Sequence, residues 1–343
     1  KWIGLNFLMS YAGILKSQQD LQFKEDMMSL KLEKAFRSPL YKKMSILVTG
    51  ASGMIGTALC QRLDHLEIPY QQLSRRSSGP TKNHVFWNPE EQVLESEKLH
   101  EVETVIHLAG ENVGQRWTHL VKRRILTSRR DASRFLFEKL VAKKYPPKTL
   151  ITASGIGFYG SANHSVQDEN SLKGEGFLAD VVEAWESAAD SLKNSGARVV
   201  FMRQGLVLSP SGGALAKMLP FFQFGLGGNL GSGQQMMSWI VMEDLVRAIL
   251  FFLENESQSG IYNLVSPNPV SNDEFTTMLG WVLKRPTLFP LPALALRAVY
   301  GEMAMQTMLS SQKVIPNRLI EAGFEFKYPE LEEALRQCLD LEK

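Results

Sequence analysis

Cysteine is nearly missing from this chain: there are two among 343 residues, Cys60 and Cys338. They are far apart and lack metal-type spacing, which excludes a disulfide framework, gives no reason to expect a metal site, and points to buried free thiols in a reducing, cytoplasmic compartment. Excess charge is missing too. Against 38 Lys and Arg stand 36 Asp and Glu, a net charge of +2, so nothing global attracts nucleic acid or an anionic membrane. No apolar run approaches the ~20 residues that span a bilayer. With 44% hydrophobic and 22% charged residues, the composition is that of a globular protein, long enough for one large or two ordinary domains. There is no internal repeat. Residues 1–15, KWIGLNFLMSYAGIL, resemble a signal sequence, but no small-residue cleavage site follows and the next stretch is charged. Three readings of residues 1–43 stand: an extension ahead of a start at Met44, an amphipathic docking helix, or a targeting segment.

The richest segment is residues 45–56, SILVTGASGMIG. An apolar β-type run enters a glycine turn, and a helical pattern (Ile55, Leu59, Leu63, Leu66) follows it. The first N–H groups of that helix lack intrahelical partners and, with the helix dipole, favour a pyrophosphate. Gly50 allows the tight turn, Gly53 lets backbone approach the phosphates, and Gly56 lets helix pack on strand. The strand-turn-helix context makes this a dinucleotide site built from Gly50, Ser52, Gly53, Met54, Ile55 and Gly56.

Strand and helix signals then alternate. Strands are expected at 45–49, 69–74, 103–108, 148–153, 198–202 and 260–265, and helices at 54–66, 117–143, 178–194 and 242–254, with Glu243 and Asp244 suited to a first turn. That rhythm predicts an α/β fold, a Rossmann-type doubly wound parallel sheet with a smaller C-terminal substrate lobe. Residues 209–238 break the rhythm with glycine-rich turns around LPFFQF, the composition of a loop over a cleft. The expected division is an extension over 1–43, a nucleotide-binding domain over 44–208 and 239–266, and a second lobe over 209–238 and 267–343, where prolines punctuate short helices.

The second strand ends in Ser74-Arg75-Arg76. A carboxylate there would bond the ribose 2′-OH of NAD, whereas an arginine accommodates the 2′-phosphate of NADP. Arginine selects NADP(H), with Arg75 first, Arg76 second and a Ser74 hydroxyl beside them. In VIHLAGEN, the small residues around Leu108, Ala109 and Gly110 let backbone meet a nucleotide, while His107 sits in an apolar run as a core histidine. The basic helix after Trp117 packs as an ordinary amphipathic helix rather than on nucleic acid, with Arg129 as the one arginine expected to reach the cofactor.

TGASGMIG, the strand-end arginine, HLAGEN, ITASGIGFYG and SWIVMEDLVRAI together resemble the extended short-chain dehydrogenase/reductases. More closely, the chain is similar to their atypical epimerase-like group with a C-terminal domain of unassigned function. Arg116-Trp117, Trp185-Glu186, Ser232-Gly233, Trp239-Ile240 and SSQKVIPNRLIEAGFEFKYPELEEAL carry that likeness, which spans about 44–340. It implies a Rossmann-type domain, bound NADP(H) and an oxidoreductase or epimerase activity. One departure matters. Most of the superfamily pairs a Tyr with a Lys four residues on, which lowers the Tyr pKa for proton exchange. None of the eight tyrosines here has such a lysine, and by spacing from Arg203 the pair's place falls near Phe177 and Val181.

Two catalytic candidates remain: Ser154, at the position of the family's substrate-orienting serine, and Tyr159, which lacks a partner to lower its pKa. Glu111 and Asp168 are further polar groups near the expected cleft. Where nucleotide-sugar enzymes of this pattern place an arginine, this chain has Met237, which argues against such substrates, and Leu219, Phe221, Phe222 and Phe224 suggest an apolar ligand or simply core. The expected function is an NADP(H)-dependent oxidoreductase acting on a small carbonyl or alcohol, as a monomer or homodimer with no nucleic-acid partner. A non-catalytic NADP(H) sensor is the second reading and a nucleotide-sugar epimerase the third.

Overall fold

The computed structural model describes residues 45–75, 83–99, 101–161 and 165–341. Expectations for residues 1–43 and for Arg76 lie outside the described residues. Ser45–Gln61 and Tyr70–Lys343 belong to one compact unit, and Arg62–Pro69 to a second. Within Arg62–Pro69, Leu66 N–H donates to Arg62 O at 3.1 Å and Ile68 N–H to Leu63 O at 3.0 Å.

The doubly wound sheet forms as the alternation predicts. Its first half contains β1 (Ile46–Thr49), α1 (Met54–His65), β2 (Tyr70–Ser74), β3 (His84–Asn88), β4 (Val93–Leu94), β5 (Thr104–His107), α2 (His119–Val141) and β6 (Thr149–Gly155). After the two-residue β7 (Val166–Gln167) come α3 (Phe177–Ser187), α4 (Asp190–Asn194), β8 (Arg198–Gln204) and β9 (Leu206–Leu208). Then follow α5 (Gly213–Gln223), β10 (Met236–Met237), β11 (Trp239–Val241), α6 (Met242–Glu254) and β12 (Gly260–Leu264). The chain closes with β13 (Val270–Ser271), α7 (Asn272–Leu283), α8 (Ala293–Tyr300), a π-helical turn at Ala304–Met308, β14 (Lys313–Val314), α9 (Asn317–Glu321) and α10 (Leu331–Cys338).

Eight strands form the main sheet in the order β12-β8-β6-β5-β1-β2-β3-β4. All neighbours are parallel except β3 and β4. The chain moves outward from β1 through β2 and β3, then returns to β5 on the other side of β1. This reversal opens a crevice at the carboxyl ends of β1 and β5, where such sheets bind ligands.

All six expected strands are present within a residue or two of their predicted ends. β3 was not anticipated: HVFWN alternates half-buried and buried positions, and its parallel pairing with β2 is a long-range choice. The helix expected over 178–194 is two helices, α3 and α4, with the break at Ala188 and Ala189. The stretch 209–238 is corrected more substantially. LPFFQF is the second half of a helix, α5, which tolerates Pro220. Leu219 and Phe222 are buried, while Phe221 and Phe224 are 60% and 80% exposed. Of the expected apolar cluster, Leu219 and Phe222 are therefore core, because helical periodicity sends Leu215, Leu219 and Phe222 to one side.

Two cores result. One lies beneath the sheet, where Leu47, Val105 and Leu150 meet Leu136, Phe137 and Leu140 of α2. The other joins Trp239 and Val241 of β11 to Leu215, Phe275, Leu279 and Leu335. Each fully buried side chain of this size contributes roughly 1.5–3 kcal/mol. Cys60 and Cys338 are buried and not disulfide-bonded, and burial pushes the Cys338 thiol up to about 12. Among the described residues, no helix is long and apolar enough to cross a membrane and no cluster of His, Cys, Asp or Glu could hold a metal.

Candidate functional site

At the crevice β1 passes into Gly50, whose φ is 69°, a conformation in which a side chain is strained. A Cβ on Gly50 would also sit 2.7 Å from the Leu108 carbonyl carbon and 2.8 Å from Ala109 N. The turn and the end of β5 are therefore in backbone contact. Gly56 is equally constrained: its Cβ would lie 2.7 Å from Ala51 Cα, 2.8 Å from Gly50 C, and closer still to Gly50 O. At Gly53 the nearest atom to a Cβ is Gly50 O at 3.2 Å, so the fold itself asks little of this glycine. Ser52, Gly53 and Gly110 are exposed, and Met54, Ile55, Leu108 and Ala109 are partly so.

Thr49 and His107 lock the two strand ends together. Leu108 N–H and Ala109 N–H both donate to Thr49 Oγ1 at 3.2 Å. With both lone pairs used, the Thr49 proton must go to His107 Nδ1, 2.8 Å away. The ring proton then sits on Nε2 and is donated to Ser133 Oγ at 2.9 Å. Total burial, and secondarily the charge of Arg129, push His107 down to about 3. It is a neutral core histidine, as its apolar surroundings in sequence suggest.

Arg129 reaches from α2 to the same place. It donates to Glu111 O at 2.9 Å and Ile125 O at 3.3 Å, and its guanidinium stands over the Trp185 ring at 4.9 Å. A Cβ on Gly110 would touch that guanidinium at 3.2 Å. Desolvation lowers Arg129 to about 10 despite the nearby Glu111. A cation in such a place favours an incoming anionic oxygen. Arg75, at the end of β2, is exposed, and Ser74 beside it is partly so.

The rim comes from distant segments. Gly212 and Gly213 lie against Met54, the Met54 sulfur being 3.0 Å from where a Gly212 Cβ would be. Lys217 of α5 donates to Gly114 O at 2.9 Å, and Arg116 donates to Ala298 O and Val299 O of α8 at 2.7 and 2.8 Å. Phe177 and Val181, where spacing from Arg203 puts the expected Tyr and Lys pair, pack with Trp117 and Met303. Gln306 of the π-helical turn accepts from Leu178 N–H at 3.2 Å, capping the start of α3.

Below this lies a buried polar chain. Ser154 O–H donates to Glu186 Oε1 at 2.6 Å, and Arg203 Nε and Nη2 donate to the two Glu186 oxygens at 2.8 Å each. Arg203 Nη1 donates to the Tyr159 hydroxyl at 3.1 Å, which donates onward to Asn263 Oδ1 at 2.7 Å. Tyr159 is 3% exposed, and burial raises its pKa, partly countered by Arg203. Its hydroxyl is occupied on both sides. Asp168 is engaged in its own turn with Ser171 and Asn317, and Glu111 accepts from Gln115 at 3.0 Å. Met237 is half-buried beside Asn272, whose Nδ2 lies 3.4 Å from its sulfur.

The structure thus gathers Gly50 to Gly56, Leu108 to Gly110 and Arg129 at one crevice, with Ser154 in the buried chain. From sequence Glu186 entered only as part of the family likeness and Arg203 only as a spacing anchor; neither was named as a site residue. A signal existed, because Arg203 shares strand parity with Val199 and Phe201 and a charge on such a face needs a partner.

A family model described as the NAD dependent epimerase/dehydratase family matches residues 46–264. The chain belongs to this family. A second model, a domain of unknown function (DUF1731), matches residues 291–338. Among relatives, epimerase family protein Mb2239 of Mycobacterium bovis is 41% identical over 84% of this chain and 96% of its own length. The chloroplastic epimerase family protein SDR39U1 homolog of Arabidopsis thaliana is 40% identical, covering 87% of each. A crystal structure of human epimerase family protein SDR39U1 (isoform 2) with NADPH superposes with a TM-score of 0.78 at 34% identity, over 87% of this chain and 99% of that one. The glycine turn and the carboxyl ends of β1 and β5 lie within the stretch this model matches, and no tyrosine of the chain is followed four residues later by a lysine.

Proposed function

We propose that the protein binds NADP(H) across the crevice and acts as an oxidoreductase on a small carbonyl or alcohol without the usual Tyr and Lys pair. The observation that carries this reading is the similar fold of the human relative whose structure contains NADPH. The cradle here fits such a group: the exposed backbone of Ser52 and Gly53 suits a pyrophosphate, together with Gly50, Met54, Ile55 and Gly56. Ser74, Arg75 and Arg76 take the 2′-phosphate, the backbone of Leu108, Ala109 and Gly110 backs the nucleotide, and desolvated Arg129 faces an anionic oxygen. When bound, the nicotinamide supplies or accepts hydride. Ser154 orients the ligand oxygen, and residues 209–238 and 267–343 form the lobe that excludes water.

Arg75→Glu is expected to weaken NADPH binding by roughly 10–100-fold, the loss of a charge-assisted hydrogen bond, and to leave NADH within about threefold. Fluorescence titration of both cofactors checks this, and equal losses would sink the assignment of Arg75.

A second reading, a non-catalytic NADP(H) sensor, is favoured by the apolar cluster at Phe177 and Val181. Stoichiometric NADPH followed at its absorbance against ketones, aldehydes, quinones and enones separates the two: tight binding without any oxidation would favour the sensor.

A further inference from the structure

Asp and Glu number 36 in this chain, yet none occurs over residues 209–242 or 275–301, where the only charges are Lys217, Lys284, Arg285 and Arg297. The same two stretches hold large apolar side chains that the core does not use. Phe221 and Phe224 are 60% and 80% exposed, Leu226 53%, Leu288 76%, Phe289 57% and Leu294 78%.

Local structure brings these side chains together. α5 ends in a Schellman turn, in which Gly225 N–H donates to Phe222 O at 2.9 Å and Leu226 N–H to Phe221 O at 2.8 Å. That turn holds Phe221, Phe224 and Leu226 at one end of the helix. The chain beyond it runs beside the second stretch: Phe289 N–H donates to Gly227 O at 3.1 Å, Leu291 N–H to Asn229 O at 2.7 Å, and Arg285 Nε to Gln223 O at 2.8 Å. At about 150–250 Å² per ring, the three phenylalanines leave roughly 300–500 Å² open. That is already the size of the largest apolar patch on a typical monomer, about 300–600 Å², and the leucines add to it.

Neither folding nor the cofactor crevice accounts for this face. α5 gives Leu215, Leu219 and Phe222 to the core, so its outward side is free of that duty. The segment before α5 lies against Met54 at the crevice, and the 11 residues of the helix set the apolar end about 16 Å away.

We propose that this face seats on an anionic lipid bilayer, its Phe and Leu side chains entering the headgroup–acyl boundary while Lys284, Arg285 and Arg297 meet lipid phosphates. All three cations are exposed. Charge complementarity decides the occupant. A second copy of the chain would bring the same cations to the same face, with no carboxylate from either stretch to meet them. An anionic bilayer supplies the negative charge and the apolar layer together. The carboxylates at the ends of the two stretches are engaged elsewhere: Glu243 with Lys327, Glu274 with Ser271 and Glu302 with Lys122. Asp273 accepts from Asn229, and Lys217 is turned to Gly114 O. No helix among the described residues is long and apolar enough to cross a membrane, so this face lies on one leaflet. The inference is independent of the oxidoreductase reading.

Flotation of the full chain with vesicles tests it, using phosphatidylcholine alone or with one-third phosphatidylglycerol. The mixed vesicles are expected to bind at least about tenfold more tightly, and salt raised to about 0.5 M should weaken that binding. Phe224→Glu combined with Leu288→Glu should lower binding to the mixed vesicles at least about tenfold with the thermal midpoint unchanged. Phe224→Ser combined with Leu288→Ser serves if the charged pair does not fold. Lys284→Asn combined with Arg297→Gln should remove the preference for phosphatidylglycerol by about fivefold per cation and leave binding to phosphatidylcholine as it was. Lys284 has φ 55°, a conformation that Asn accepts.

A wild-type chain that ignores the mixed vesicles would overturn the inference. So would equal binding by the wild type and the Phe224→Glu, Leu288→Glu variant, which would put the lipid contact elsewhere in the chain. Sedimentation velocity without lipid covers the remaining outcome: a dimer that the same variant dissociates would assign the face to a second copy instead.

Discussion

Gly56→Val is expected to unfold the nucleotide-binding half or to cost it well over about 3 kcal/mol, beyond the usual range for overpacking. The reason is what the new side chain would meet. Its Cβ falls on the backbone of Gly50 and Ala51, and backbone held by a strand on one side and a helix on the other has no rotamer by which to escape. Gly53→Ala, three residues earlier, is expected to behave differently. Its Cβ stands 3.2 Å from a single oxygen, so stability should stay within about 1 kcal/mol of the wild type, while NADPH affinity drops because a methyl group stands where the phosphates approach. Denaturant unfolding and cofactor titration on both variants check this. A Gly56→Val protein as stable as the wild type would show that the turn is looser than its geometry states, and an unchanged affinity in Gly53→Ala would remove Gly53 from the phosphate site.

Acidification is the second large effect. A histidine near 6.5 in the unfolded chain is held at about 3 in the fold, by desolvation first and by Arg129 second. Between those two values the unfolded state binds the proton and the folded state does not, so stability present above pH 6.5 is lost as pH falls toward 3. The slope is about 1.4 kcal/mol per pH unit for this one group, or roughly 2–3 kcal/mol between pH 6.5 and about 4.5. Glu254 works in the opposite direction: burial raises it from 4.5 to about 7, so its contribution is present at low pH and lost as pH rises through 7. It is only half-buried, and water screens its effect. Comparing the pH dependence of unfolding in the wild type with that of His107→Gln isolates the histidine. The variant curve should be flatter between about pH 4.5 and 6.5, and parallel curves would mean that another group carries the acid sensitivity.

The Thr49–His107–Ser133 chain also illustrates how much could be anticipated. That His107 would be a core residue followed from the apolar residues around it. That its ring orders the end of β5 through Thr49 did not, because residues 58 apart in sequence come into register only when β1 and β5 pair. The candidate site divides the same way. Gly50, Gly53 and Gly56 were legible because strand, turn and helix are contiguous, although only Gly50 and Gly56 answer a local steric demand. Arg129 was legible only as one arginine among several on a basic helix. Its stacking on Trp185 and its contact with Gly110 needed α2, α3 and the β5 loop to be brought together.

α5 and the pair Glu186 and Arg203 show the other limit. A glycine-rich segment with an internal proline reads as a loop by composition, yet Leu215, Leu219 and Phe222 find a complementary surface on β11 and α7 and form a helix. Tertiary packing overrides local propensity whenever the buried area outweighs it. The ion pair was hidden for a related reason: a strand parity and a helix face are each periodic, but which charge meets which depends on where the helix crosses the sheet.

From its amino acids alone the chain declares a doubly wound sheet, a glycine turn at 50–56, an arginine just after the second strand, and no tyrosine with a lysine four residues on, all features written in contiguous residues or short spacings. The strand β3, the helix α5 at the rim, the neutral tautomer of His107 and the proton held between Ser154 and Glu186 come only from the folded arrangement. They depend on contacts between distant segments, and local periodicity contains no information about those.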